Sequence, residues 1–364
     1  MSLNLDDGTR IRVLVVDDSA FMRAALARMI ACEPDMEVVA TASCASLAFE
    51  KIASHDPDVV TLDVNMPGLD GLGALRCIMN QFPRPVIMVS ATTEKEASKT
   101  FEALSAGAFD CVPKQLSPAS LEIAHIRNEL ISKIRAAAQS RRARLIPPER
   151  RKAPHSVSLK TSNLAPAAPA IVAIGVSTGG PKALEQILPL FPSNFPIPIL
   201  IVQHMPIGFT TPFAERLNYL SSIKVKEAAQ GELILPGTAY VAPAGLHMRI
   251  VPRLSDSKTA AIRLDKDPAD APHIPSVDIM MTSVAQVFRN RVIGVIMTGM
   301  GSDGSDGMSA IFRQGGLTIG QDEASCAVYG MPRVCAQLGV LAQVLPLSDI
   351  PAQIIHAARQ RRRA

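Results

Sequence analysis

An acidic pair at Asp17-Asp18, a carboxylate at Asp63, a hydroxyl at Ser90 and an ammonium at Lys114 each end a short apolar run in the first third of the chain. Carboxylates gathered at one place repel one another unless a cation lies between them. Mg²⁺ suits such a place, because it accepts one or two carboxylates together with water and phosphate oxygens. Asp63 is then free to attack phosphorus as a nucleophile. Lys114 can neutralise the resulting acyl phosphate, and Ser90 can hydrogen-bond it. A single aspartate at a strand end usually just stays wet. Fitting residue types at four strand ends point instead to phosphoryl chemistry.

A second set lies beyond residue 170. The run Ile171–Val176 leads into Ser177-Thr178-Gly179-Gly180-Pro181-Lys182, Pro198–Val202 leads into Gln203-His204-Met205-Pro206, and Val292–Met297 leads into Thr298-Gly-Met300-Gly-Ser-Asp303-Gly304. Serine, histidine and aspartate at three strand ends can act as nucleophile, base and orienter of an acyl-transfer site. Ser177 falls at a strand-to-helix turn. Backbone N–H groups at that helix start, around Thr178 and Gly179, suit an oxyanion. The turn is not a G-x-S-x-G elbow, which weakens a generic α/β-hydrolase reading. Alone, the serine turn reads equally as a cap or a phosphate-binding turn, and a lone histidine after a strand is more often structural; the three together reverse that balance. Among competitors, His247 reads as a packing or water-facing residue, Ser276 or Asp278 as capping chemistry beside His273, and Asp306 as compensation of a helix dipole.

These residues need elements to hold them. Residues 10–135 read as β/α repeated five times, with Ser19 as the cap of a helix over Ala20–Cys32 and Asp58–Asp63 as a central buried strand. In such a chain the strands lie parallel and their C-terminal ends share one edge. From 136 to 168 the burial period vanishes into Arg141-Arg-Ala-Arg144, Pro147-Pro148 and Ala165-Pro-Ala-Ala-Pro169, which reads as a flexible linker. A second α/β pattern fills 169–364. Thr238–Val241, His247–Val251 and Ala260–Leu264 read as shorter strands of a more antiparallel section.

Bulk properties fit two or three domains with ample apolar cores. The chain has 364 residues, 48% of them hydrophobic, no tryptophan and a net charge of +4. The basic stretches Arg135–Lys152 and Arg359–Arg363 lack interleaved aromatics and read as solvated ends, not as a nucleic-acid surface. None of the six cysteines forms a CxxC pair, so buried free thiols in a reducing compartment are expected. The polar N-terminus is unlike a signal peptide, and no apolar run is long enough to span a membrane. A cytoplasmic location without membrane insertion is the expectation.

Residues 10–135 resemble the receiver domain of two-component response regulators. The resemblance implies a (βα)5 flavodoxin-like fold and phosphorylation of Asp63 by a histidine kinase. It also implies Mg²⁺ held by Asp18, Asp63 and the backbone carbonyl of Asn65, with Asp17 completing the acidic pair. Ser90 and Lys114 match the family's switch hydroxyl and lysine. Two positions depart from the pattern: Cys111 stands where an aromatic is common, and Gln115 where proline is usual. Beyond the linker, Gly175–Gly180, Val202–Pro206, Pro275-Ser-Val-Asp278 and Met297–Gly304 resemble the catalytic domain of the chemotaxis protein-glutamate methylesterases, which implies a Rossmann-like, mainly parallel sheet. The order receiver, linker, hydrolase is also theirs. Carried over, Ser177 is the nucleophile, His204 the base and acid, Asp303 its orienter, and Met300 lies near the oxyanion. The resemblance implies a phosphorylation-activated esterase that demethylates glutamate methyl esters, and deamidates glutamines, on methyl-accepting chemotaxis receptors. No cofactor is expected for the ester hydrolysis itself. A non-catalytic, phospho-regulated binding and signalling module is the rival reading, and the intact Ser177/His204/Asp303 set weighs against it. A DNA-binding regulator is disfavoured because no helix-turn-helix pattern follows the linker.

Overall fold

A computed structural model describes residues 10–90, 94–114, 120–145, 169–253 and 256–359. The chain divides into two compact units, Met1–Lys152 and Ala153–Ala364.

In the first unit, β1 (Ile11–Val16), β2 (Met36–Ala42), β3 (Val59–Asp63), β4 (Val86–Ser90) and β5 (Asp110–Pro113) form one parallel sheet in the order β2-β1-β3-β4-β5. Every residue of β3 and β4 is buried, as expected for strands covered on both faces. The strand order reverses between β1 and β3, which opens a crevice at their C-terminal ends. Asp17 leaves β1 and Asp63 ends β3, so both flank it. Helix starts are fixed locally: Met22 N–H donates to the Ser19 hydroxyl at 3.4 Å, and Gly73 N–H to the Asp70 carboxylate at 2.9 Å.

The last helix of this unit spans Ser120–Leu145, so the start of the expected linker is helical. Ala136, Ala137 and Ala138 are buried, and the Arg141 guanidinium donates to the Pro57 carbonyl at 2.7 Å and pairs with Asp56 and Asp58. Arg135 pairs with Glu33 and Asp35, each at 2.7 Å. This part of the basic segment is therefore a packed, ion-paired helix and not a solvated end. Residues 146–168, Gln115 and the 360–364 tail lie outside the described residues.

In the second unit, β6 (Ile171–Val176), β7 (Ile199–Gln203), β8 (Lys224–Glu227), β9 (Thr238–Val241), β12 (Val292–Ile296), β13 (Leu317–Gln321) and β14 (Gln343–Leu345) form a seven-stranded sheet. Its order is β14-β13-β12-β6-β7-β9-β8, and every pairing is parallel. Thr238–Val241 was expected in an antiparallel section; it is fully buried and pairs parallel with both β7 and β8. Among the described strands of this unit, β10 (His247–Arg253) and β11 (Asp256–Asp265) pair antiparallel, as a separate two-stranded sheet that Leu233 joins through an antiparallel bridge to Ala261. That hairpin packs on the helix Val277–Phe288, where Ile250 N–H donates to the Ser283 hydroxyl at 2.9 Å and Met248, Ile250, Met280, Met281 and Val284 share one core. The order reverses on either side of β6, so the ends of β6, β7 and β12 meet at the switch point.

All six cysteines are free thiols, but only Cys111 and Cys335 are buried; Cys32 is exposed and the other three are half-buried.

Candidate active site and phosphorylation site

The register of β6 and β7 pairs Val176 with Gln203, so the following residues, Ser177 and His204, leave the sheet side by side. Their backbones are tied together. His204 N–H donates to the Val176 carbonyl at 3.2 Å, and the buried Gln203 amide donates to the carbonyls of Ser177 at 3.0 Å and His204 at 2.9 Å. On the other side Ser177 N–H donates to the Thr298 carbonyl at 3.0 Å, at the end of β12. Gly299 must be glycine here, since a Cβ would lie 2.8 Å from Ser177 Cβ and 2.3 Å from Met331 Sδ. Met300 follows directly in the same loop. Gly179 adopts φ +77, where a side chain would be strained and its Cβ would lie 2.5 Å from Ala327 Cβ. The helix Gly180–Ile187 begins there with Pro181 in its first turn, and Gly180 N–H donates to the Ser177 carbonyl at 2.8 Å. Thr178 is buried, and its carbonyl accepts from the Thr298 hydroxyl at 2.9 Å.

His204 and Asp303 make direct contact, Nε2 to Oδ2 at 2.7 Å, with both side chains 10% exposed. The other ring nitrogen, Nδ1, is buried and meets no hydrogen-bond partner among the described residues. A base with one nitrogen held by a carboxylate and the other unengaged is ready to take a proton from a nucleophile. His273 stacks on the His204 ring, centroids 4.1 Å apart and planes 16° apart, and restricts its rotation.

The Asp303 carboxylate has more partners than the sequence suggested. Oδ1 accepts from the Ser276 hydroxyl at 2.9 Å and Asp278 N–H at 3.0 Å, while Oδ2 also accepts from Val277 N–H at 2.7 Å. It therefore sits on the N-terminus of the helix Val277–Phe288, where the helix dipole favours an anion. Burial acts to raise its pKa, but the hydrogen bond and charge of His204 and these N–H donors outweigh that and hold it well below the usual carboxylate range. Asp306, in the first turn of the helix Ser305–Arg313, is exposed and does not share this pocket. His247 is structural: fully buried, it contacts the Pro268 carbonyl through Nε2 at 3.1 Å and accepts Ser276 N–H at Nδ1 at 3.2 Å. Ser276 is the N-cap, accepting Ile279 N–H at 3.3 Å, in line with the capping reading. Gln203, Thr298 and His273 were missed as site residues. Their only signal was position, next to a strand end or beside the Pro275-Ser-Val-Asp motif.

In the first unit, Asp17, Asp18 and Asp63 bring one carboxylate oxygen each to within 4.8 Å of one another. Lys114 Nζ lies 2.6 Å from Asp63 Oδ2 and 3.0 Å from Asp17 Oδ2. Burial raises the Asp63 pKa; Lys114 and the Asn65 N–H, which donates to Asp63 Oδ1 at 3.0 Å, oppose it. Burial pushes the Lys114 pKa down, but its bonds to Asp63 and Asp17 outweigh this and raise it. The buried Ser90 hydroxyl accepts from the buried Thr100 hydroxyl at 3.0 Å. Three clustered carboxylates, two of them buried, match the hard oxygen set that Mg²⁺ requires.

A five-stranded parallel unit with an acidic crevice and a half-buried lysine, followed by a parallel α/β unit with grouped serine, histidine and aspartate, defines a response regulator with an α/β effector domain. Residues 13–125 match the response regulator receiver domain, and residues 172–354 match the CheB methylesterase domain. The chain belongs to the CheB methylesterase family. It is 45% identical over 366 residues to "Protein-glutamate methylesterase/protein-glutamine glutaminase 2" of Nitratidesulfovibrio vulgaris, covering 95% of this chain and 99% of that one. It is 45% identical over 352 residues to the protein-glutamate methylesterase/protein-glutamine glutaminase of Pyrococcus abyssi, covering 96% of this chain and 94% of that one. Its second unit is similar to the crystal structure of the Thermotoga maritima CheB methylesterase catalytic domain, with TM-score 0.50 and 39% identity over 52% of this chain and 99% of that one.

Proposed function

We propose that this chain is a phosphorylation-activated serine hydrolase that removes methyl groups from glutamate methyl esters, and the amide from selected glutamines, on methyl-accepting chemotaxis receptors. The observation that carries the reading is the His204–Asp303 pair at 2.7 Å, beside Ser177 on the adjoining strand end. Ser177 Oγ attacks the ester carbonyl, and His204 takes its proton at Nδ1. Asp303 holds Nε2–H and stabilises the imidazolium. Backbone N–H groups around Thr178, Gly179 and Met300 stabilise the developing oxyanion. His204 returns the proton to the leaving methoxide, methanol departs, and water activated by the same histidine hydrolyses the acyl-enzyme. With a glutamine substrate the leaving group is ammonia.

A chemotaxis histidine kinase is the phosphodonor and Asp63 the acceptor. Asp17, Asp18, Asp63 and the Asn65 carbonyl would hold Mg²⁺, which supplies charge neutralisation to the carboxylates and phosphoryl oxygens. Lys114 then pairs with the phosphoryl group and Ser90 hydrogen-bonds it. We place the protein in the cytoplasm; no described helix is long and apolar enough to cross a membrane. The reading is tested by methanol release from methylated receptor membranes, with and without a small acyl-phosphate donor. No release under either condition would favour a non-catalytic signalling module.

A further inference from the structure

The Asp303 loop and the helix Val277–Phe288 are joined twice, in opposite directions. Asp303 accepts from Ser276 Oγ–H and from the N–H groups of Val277 and Asp278 at the start of that helix. In return, Asp278 Oδ1 accepts Gly307 N–H at 2.8 Å, in the first turn of the helix Ser305–Arg313, and the Gly304 N–H reaches the same carboxylate. Each aspartate caps the helix that begins beside the other, and two N-termini share two anions. The glycines keep the joint closed. A Cβ on Gly307 would come within 2.5 Å of Met281 Cβ, and one on Gly304, at φ +96, within 2.9 Å of Val277 Cγ1 and 2.6 Å of Ile296 Cδ1. Burial, with the nearby Asp303 charge adding to it, pushes the Asp278 pKa up to about 6, as expected for a carboxylate packed in the joint and not on a free surface.

We infer that Asp278 is a positioning residue for ester hydrolysis: by capping the helix after Asp303 while Asp303 caps its own, it fixes the carboxylate that orients His204. Asp278 touches neither Ser177 nor substrate and acts only through the loop 299–307. The inference rests on the hydrolase reading, and its test separates the two.

The test uses the full chain carrying Asp278→Asn or Asp278→Ala. Asparagine keeps an oxygen for Gly307 N–H and alanine does not. Methanol release is measured beside a readout that needs no turnover. That readout is the low-field proton resonance of the His204 Nε2–H···Asp303 hydrogen bond, identified by its loss in His204→Gln; such short charge-assisted bonds are the strong ones. Asp278→Ala is expected to broaden or lose the resonance and to lower kcat about a hundredfold, since a shift near 1 Å in a positioned group costs that much. Asp278→Asn is expected to restore the resonance and most of kcat, and KM should change little in either. A folded Asp278→Ala protein with the resonance and kcat of wild type would overturn the inference. If Asp278→Ala does not fold, Asp278→Asn decides: loss of the resonance in that folded variant would overturn it as well. A wild-type chain that releases no methanol would sink the hydrolase reading, while the resonance would still report on the Asp278–Asp303 joint.

Discussion

Replacing Asp303 by asparagine removes a charge without removing volume, and the surroundings set the cost. Among the described residues, His204 Nε2, the Ser276 hydroxyl and the N–H groups of Val277 and Asp278 donate to the carboxylate. An amide has one acceptor oxygen. With its oxygen toward Asp278, the NH2 group faces Val277 N–H and His204, and the imidazole is pushed to the tautomer protonated at Nδ1, which cannot accept the Ser177 proton. With the amide flipped, His204 keeps its partner but Asp278 N–H faces a donor. One buried N–H left without an acceptor costs about 1–3 kcal/mol, and the charge-assisted character of the other bonds is lost. Roughly 2–3 kcal/mol in a domain of this size lowers Tm by about 5–10 °C. The catalytic cost is larger, because neither orientation stabilises an imidazolium. We expect kcat to fall at least a thousandfold, about 4 kcal/mol of transition-state stabilisation. The assay is methanol release at 25 °C on protein shown to be folded, with Asp306→Asn as control. Asp306 is exposed in the first turn of the helix that follows the Asp303 loop, so its variant should stay within about twofold of wild type, as surface substitutions usually do. A folded Asp303→Asn protein within tenfold of wild type, or a worse loss from Asp306→Asn, would refute the reasoning.

Activation should need both the acceptor aspartate and the metal. A phosphodonor with Mg²⁺ should raise the methanol-release rate of wild type but not of Asp63→Asn, and excess chelator should abolish the rise. A fragment starting near Pro169 should be active without phosphate, and a fragment no faster than the unphosphorylated full chain would show that the receiver does not inhibit. The Asp278 pKa, raised by burial to about 6, also carries a stability signature. Its folded form holds the proton more tightly than the unfolded chain, so its contribution is fully present below about pH 4 and is lost as pH rises through 6. The charged or titratable groups facing it are Asp303 and Cys335, and burial pushes that thiol up to about 12, so it stays neutral across this window. Relative to wild type, Asp278→Asn should therefore gain Tm above pH 6 and show no gain near pH 4; a difference independent of pH would exclude this.

The acidic crevice of the first unit was legible because buried parallel strands are bare apolar runs, so a polar residue at their ends stands out. Asp63 and Ser90 end runs that are wholly buried. The same holds for Ser177, His204 and the glycine loop after β12, since β6, β7 and β12 are buried throughout. The edges were not legible. In β8, Lys-Val-Lys-Glu, only Val225 is buried, and β14 is three residues long. The helical stretch through Leu145 looked like linker because the partners of its arginines, Asp35, Asp56 and Asp58, lie 83 to 100 positions away in sequence. The cradle of Asp303 failed to show for the same reason. Ser276 and Asp278 read as local capping residues, and only the folded chain reveals that the acid they support is Asp303.

The central claim is that Ser177 is the nucleophile of a methylesterase. Its most direct measurement is methanol release from methylated receptor membranes by the phosphorylated full chain and its Ser177→Ala variant. Wild type should release methanol, and the variant should release none above the uncatalysed background while still taking phosphate on Asp63, because the two sites lie in separate units. Comparable methanol release by a folded Ser177→Ala protein would contradict the account.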